Sequence, residues 1–145
     1  MKAIGVNRPD HHELKANPWF LLGRIVLASL FVLGGIEKIG NPENSIAMMT
    51  SAGLPYPSLL IYLVIVAELG FGLIIACGTT LFFARVVIAS AFCLIVHTAL
   101  VNIIFHAFWT LEGAAARLEL SLFFKNVGVI GGLVVVAAIY RRFPA

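Results

Sequence analysis

The side chains able to do chemistry in this chain are few, and most sit inside apolar sequence. Glu68 stands alone in residues 59–77, a run with no other charge. Read as helix, it lies about 14 Å along from Leu59, near the middle of an apolar layer. A carboxyl group there is either a proton-handling or ligand-holding group, or one half of a buried ion pair, or a protonated acid. Hydrocarbon tolerates such a group only when it faces protein or water.

A second run, residues 81–105, carries His97 and Asn102 and leads into His106. Asn102 and His106, four apart, share a helical face. His97 and His106, nine apart, point nearly opposite ways at 3.6 residues per turn. One metal held by both is not expected, and no metal site is assigned. His97 reads as a hydrogen-bonded core histidine, with lone haem or metal ligation as the sharper alternative. Arg24 and Lys38 lie toward the two ends of the first apolar run. Either can snorkel to the headgroups or turn inward, giving a structural charge network of Arg24, Lys38 and Glu68. Lys125 opens the last run on the same face as Gly128 and Gly132, so it is expected to point into the bundle, with Asn126 beside it. Glu68, His97, Lys125 and Asn126 form the candidate ligand site. No catalytic residue is assigned.

These groups need a scaffold, and composition says which kind. Apolar residues make up 61% of the 145 and charged residues 12%, against about 45–50% and about 25% in soluble domains. Lipid must be the solvent for much of the surface. Four apolar runs, 19–38, 59–77, 81–105 and 121–140, approach the roughly 20 residues needed to cross hydrocarbon as helix. The expected fold is all-α: a four-helix transmembrane bundle with a short interfacial segment between helices 1 and 2. Residues 1–18 form a polar cytoplasmic tail without secretory-signal character, and 19–145 form the membrane domain.

Gly40-Asn41-Pro42 stops the first helix. Residues 42–52 are expected to form a short surface helix, and Gly78-Thr79-Thr80 a tight hairpin. The loop from His106 to Leu120 reads as partly helical and interfacial. With the N-terminus inside, Lys2, Arg8, Lys15, Arg24, Arg85, Arg141 and Arg142 gather on the inner side. Lys38, Arg117 and Lys125 gather on the outer side. That bias predicts both termini in the cytoplasm. Cys77 and Cys93 form no C-x-x-C pair and read as packing residues. No basic–aromatic patch of the nucleic-acid type is present.

Three stretches resemble the DoxX family of small four-helix membrane proteins. They are R-I-V-L-A-S-L-F-V-L-G-G-I-E-K from Arg24, A-E-L-G-F-G-L-I-I-A-C-G-T-T from Ala67 with Ala84-Arg85 following, and H-A-F-W from His106 with F-F-K-N-V-G-V-I-G-G-L from Phe123. The resemblance covers residues 24–138. It implies a multi-pass protein of the bacterial inner membrane. Some members are subunits of quinone-linked sulfur oxidoreductases, and others belong to membrane oxidoreductase assemblies.

The expected function is therefore a membrane subunit of a quinone-linked oxidoreductase system. Its partners would be the bilayer and other membrane or oxidoreductase subunits. Quinone is the cofactor in view, because the chain has no redox motif of its own. The alternatives are a non-catalytic scaffold or assembly subunit, and a small-solute or proton pathway.

Overall fold

Asn17 caps the first helix. Its side-chain oxygen accepts from the backbone N–H groups of Trp19 and Phe20, two donors that the helix start leaves without partners. The computed structural model describes residues 17–78 and 82–142. Among them are α1 (Pro18–Gly40), α2 (Pro42–Ser51), α3 (Pro57–Cys77), α4 (Ala84–Phe105) and α5 (Gly113–Arg142). A 3-10 turn, Phe108–Thr110, lies between α4 and α5. The tail expected over residues 1–18 falls, up to residue 16, outside the described residues.

Proline opens α1, α2 and α3. A missing N–H costs nothing at a helix start, and the fixed φ suits it. Pro42 also ends α1, because Asn41 before it is forced out of helical geometry at φ −148. The chain turns there and lays α2 near the end of α1.

Helices α1, α3, α4 and α5 are each long and apolar enough to cross a membrane, with mean hydropathy of 2.0 to 2.6. No more than 33% of any span's apolar window is buried. Leu33, Val66, Phe92, Ile103, Phe124 and Val135 point outward. Water would penalise such a surface, and lipid does not. The chain is a multi-pass membrane protein.

Helix α1 packs chiefly on α3, α4 chiefly on α5, and α3 on α4, while α1 and α5 meet only sparingly. The buried stripe of α1 is Arg24, Ala28, Phe31 and Gly35, the four-three spacing of one helical face. Gly35 sets the α1–α3 distance: a Cβ there would lie 2.7 Å from Leu69 Cγ. The main core lies toward the other end, around Ile75, Val87, Leu94, Leu133 and Tyr140.

Two features depart from the sequence reading. Helix α5 starts at Gly113, not near residue 121. Its alanine-rich start and the lack of any proline until residue 144 favour unbroken helix. At 30 residues it is about 45 Å long, more than the roughly 30 Å of hydrocarbon. Its first turns therefore extend past the apolar layer. Gly128 and Gly132 do not act together as a helix-packing pair. Gly132 lies against Leu27 of α1, whereas Gly128 faces open space. The small residues leave a groove between α1 and α5.

Candidate functional site

The two ends of the bundle carry separate polar clusters. Helices α1 and α3 run antiparallel, which puts Lys38 level with Glu68 and Arg24 level with Cys77. Lys38 Nζ lies 2.9 Å from Glu68 Oε2 and also donates to the Gly34 carbonyl at 3.3 Å. From α4, His97 Nε2 lies 3.2 Å from Glu68 Oε1. One buried carboxylate thus joins three helices, with a different partner on each oxygen. Gly34 provides the space, since a Cβ there would sit 3.2 Å from Glu68 Oε2.

Arg24 does not join this cluster. It lies fourteen residues before Lys38, about 21 Å away along α1, too far for Glu68 to reach both. The expected network of Arg24, Lys38 and Glu68 is therefore split. Arg24 Nη1 donates to the Tyr140 hydroxyl, and Nη2 donates to the Cys77 carbonyl at 3.4 Å. The guanidinium carbon lies 5.7 Å from the Phe20 ring centroid and 5.9 Å from that of Tyr140. This cluster ties α1, the end of α3 and α5 together at the opposite end from Glu68.

Around Glu68 the bundle is hollow. A chamber of about 170 Å³ is lined by Gly34, Lys38, Glu68, His97, Thr98, Lys125 and Asn126, with Leu30, Phe31, Val101 and Val129. All four residues of the candidate ligand site line it. Lys125 is exposed: it sits at the rim of the chamber, where the sequence predicts an inward position. The reason is the sparse contact between α1 and α5, which leaves that flank open. Leu30, Lys125 and Val129 also line the groove between α1 and α5, a space of about 630 Å³ with largely apolar walls from Leu27, Gly128, Gly132 and Val136. Polar chamber and apolar groove therefore meet at Lys125, for which no ion-pair partner is present among the described residues.

Asn126 is held from behind. Its Nδ2 donates to Asn102 Oδ1 at 2.8 Å, and Asn102 Nδ2 donates to the Phe123 carbonyl at 3.1 Å. This amide ladder fixes α5 against α4 and orients Asn126 at the chamber wall. The depth of Asn102 was legible in sequence, but its pairing with a residue 24 positions later was not.

A second cavity, of about 670 Å³, lies on the α2 side. Its walls include Glu37, Lys38, Asn44, Met49, Glu68, His97, Val101 and His106. His97 and His106 thus line one space, although ideal helix geometry sets them on opposite faces. The helix ends at Phe105, and His106 has φ −112 and ψ 38, so its ring is no longer aimed by the α4 axis. His106 Nδ1 lies 2.7 Å from Glu119 Oε2. Sequence reasoning missed that pair because it read 106–120 as only partly helical and did not carry α5 back to Gly113, which sets Glu119 on that helix. No group of three or more His, Cys, Asp or Glu side chains suited to a metal ion occurs among the described residues.

The DoxX family model matches residues 19–107, which include Lys38, Glu68, His97 and His106 but not Lys125 or Asn126. Inner membrane protein YphA of Escherichia coli (strain K12) is 28% identical over 117 residues, covering 81% of this chain and 79% of that protein. No solved structure matches the chain.

Proposed function

The chain belongs to the DoxX family, and from that premise and the shape of its polar chamber we propose that it is the membrane subunit of a quinone-linked oxidoreductase system. The supporting observation is the meeting of a polar chamber with an apolar groove at Lys125. A ligand suited to both has a compact polar ring and a long apolar tail. The chamber's about 170 Å³ compares with the roughly 150 Å³ of an engineered cavity that accepts benzene. The tail would lie along Leu27 and Gly132, between α1 and α5. The reading places the protein in the bacterial inner membrane, where its Escherichia coli relative is named for its location, with both termini cytoplasmic.

A bound quinone would supply two-electron, two-proton chemistry, with electrons arriving from the redox centre of a partner subunit. The chain's residues contribute position and protons. Lys125 presents an ammonium at the chamber rim, and Asn126 presents an amide fixed by Asn102. Either can donate to a ring oxygen. Glu68 and His97, bonded to each other on the inner wall, are the groups able to hand a proton on.

The test is binding of a short-chain benzoquinone to the purified protein in lipid nanodiscs. A hydrogen bond from a charged donor is worth about 1.5–3 kcal/mol, or roughly 10–100-fold in affinity. Lys125→Ala and His97→Ala should each weaken binding at least tenfold, while exposed Arg85→Ala leaves it unchanged. Equal affinity in all three variants removes the reading. A scaffold role is the second reading. It draws support from Glu68, whose two oxygens already have partners, so that the cluster can hold three helices together without any ligand.

A further inference from the structure

Two histidines, each bonded to a carboxylate, line one cavity. Within the bundle, His97 lies 3.2 Å from Glu68 Oε1. Near the end of α4, His106 lies 2.7 Å from Glu119 Oε2. Both imidazoles line the same space of about 670 Å³, far more than the about 30 Å³ one water occupies in the liquid. Val101 and Phe105 lie between them on a largely apolar wall, and Lys38, Asn44 and Ser45 bring polar groups to the same space from α1 and α2. Glu119 keeps 24% of its side-chain surface exposed, whereas Glu68 keeps 9%. The pairs thus form a graded series, from a carboxylate in contact with solvent to one enclosed by three helices.

We infer that Glu119 and His106 form the aqueous entrance of a proton path that crosses this cavity to His97 and Glu68. The inference rests on the reading of Glu68 as a proton-carrying group. The step is proton transfer alone, with no electron moved. A proton from bulk water binds Glu119 or His106, and the N–H or O–H bond so formed breaks as a cavity water takes the proton up. That water then passes a proton to His97, whose bonded partner Glu68 exchanges it with the chamber. Each transfer forms one bond to hydrogen and breaks one. Histidine suits both posts because it has two ring nitrogens, one able to take up a proton while the other releases one.

Charged and titratable groups face the route from four of the helices around it. Lys38 and Glu37 stand on α1, Glu68 on α3, His97 on α4 with His106 just past its end, and Glu119 on α5, while α2 lends only the uncharged polar groups of Asn44 and Ser45. Lys38, bonded to Glu68, balances its charge when the proton has left. The amphiphile's chamber lies on the far side of Glu68, so protons and ligand enter from different flanks.

Exchange of the His97 ring proton with water, followed by nitrogen-15 NMR of the full chain in nanodiscs, tests this directly. His106→Phe should slow exchange at least tenfold. Glu119→Gln, which keeps a hydrogen-bond acceptor for His106 but removes a titrating group, should slow it threefold or more. Glu112→Gln, at an exposed position, should leave the rate unchanged. Exchange within twofold of wild type in His106→Phe overturns the path. If that variant does not fold, Glu119→Gln decides, and a wild-type rate there overturns it as well. Benzoquinone affinity measured on the same samples separates this inference from the functional reading. Unchanged affinity with slowed exchange supports the path, and loss of affinity in His106→Phe overturns it by placing His106 in the ligand site. Failure of the wild-type protein to bind benzoquinone removes the quinone reading, while the exchange rates still report on the path.

Discussion

Removing Lys38 should cost more than removing the Glu68 charge, and removing both should cost less than the sum. The structure supplies the asymmetry. Glu68 is enclosed, and without Lys38 its Oε2 loses its only ionic partner among the described residues, leaving His97 on the other oxygen. Lys38 retains 22% of its side-chain surface and already reaches the Gly34 carbonyl, so it tolerates loss of the carboxylate better. Breaking a fully buried pair from one side costs about 3–5 kcal/mol. The partial exposure of Lys38 lowers this to about 2–3 kcal/mol for Lys38→Met. For Glu68→Gln, which keeps the volume and one acceptor, about 1–2 kcal/mol is expected. Combining them leaves no unpaired charge, so the pair should show a coupling of about 1–2 kcal/mol in the cycle. Reversible unfolding by sodium dodecyl sulfate in mixed micelles, read by far-UV circular dichroism, measures all four proteins. Additivity within about 0.5 kcal/mol would falsify the ion-pair account, since two independent sites give that result.

Further predictions follow from the other clusters. Tyr140→Phe removes the hydroxyl that accepts from Arg24 and should lower stability by about 1–3 kcal/mol in the same unfolding assay, with benzoquinone binding unchanged. Gly78→Ala should prevent assembly, measured as loss of monodisperse protein after extraction. Gly78 has φ +57, and a Cβ there would run into the Arg24 guanidinium and the Tyr140 hydroxyl. Asn102→Ala should cost about 1–2 kcal/mol and weaken benzoquinone binding severalfold, because Asn126 loses its acceptor; unchanged binding in a folded variant excludes Asn126 from the ligand contact. Cysteine labelling at residues 1, 44, 112 and 145, on a background with Cys77 and Cys93 replaced, should place 1 and 145 on one side and 44 and 112 on the other. Any other grouping breaks the four-crossing topology.

What the sequence revealed and what it concealed divide along a physical line. Helix faces follow from periodicity, because one helix imposes one spacing on all its side chains. The α1 stripe and the inward face of Glu68 were legible for that reason. Pairings between helices depend on which helices touch and at what height, and these escaped. Arg24 meets Tyr140, 116 residues away, through an antiparallel alignment that periodicity does not encode. His106 escaped for a different reason: one non-helical residue at the end of α4 redirected its ring. The start of α5 was set too late because hydropathy marks where lipid begins, while a helix continues wherever its backbone finds partners.

The division between the two polar clusters also constrains how the protein can work. Arg24 and Tyr140 link α1 to α5 at one end, where the core is tight. At the other end, α1 is linked through Lys38 and Glu68 to α3, and α5 is linked through Asn126 and Asn102 to α4. Among the described residues no polar bond joins α1 to α5 there, and the groove and chamber lie between them. The α1–α5 flank is therefore bonded at the Arg24 end and open at the Lys125 end. The chamber and groove leave a gap on that flank, while the Glu68 cluster holds α1, α3 and α4 together without a bond to α5. A ligand entering from the bilayer needs such a gap. The polar residue best placed to meet it is Lys125, the cation at that rim with no acidic partner among the described residues.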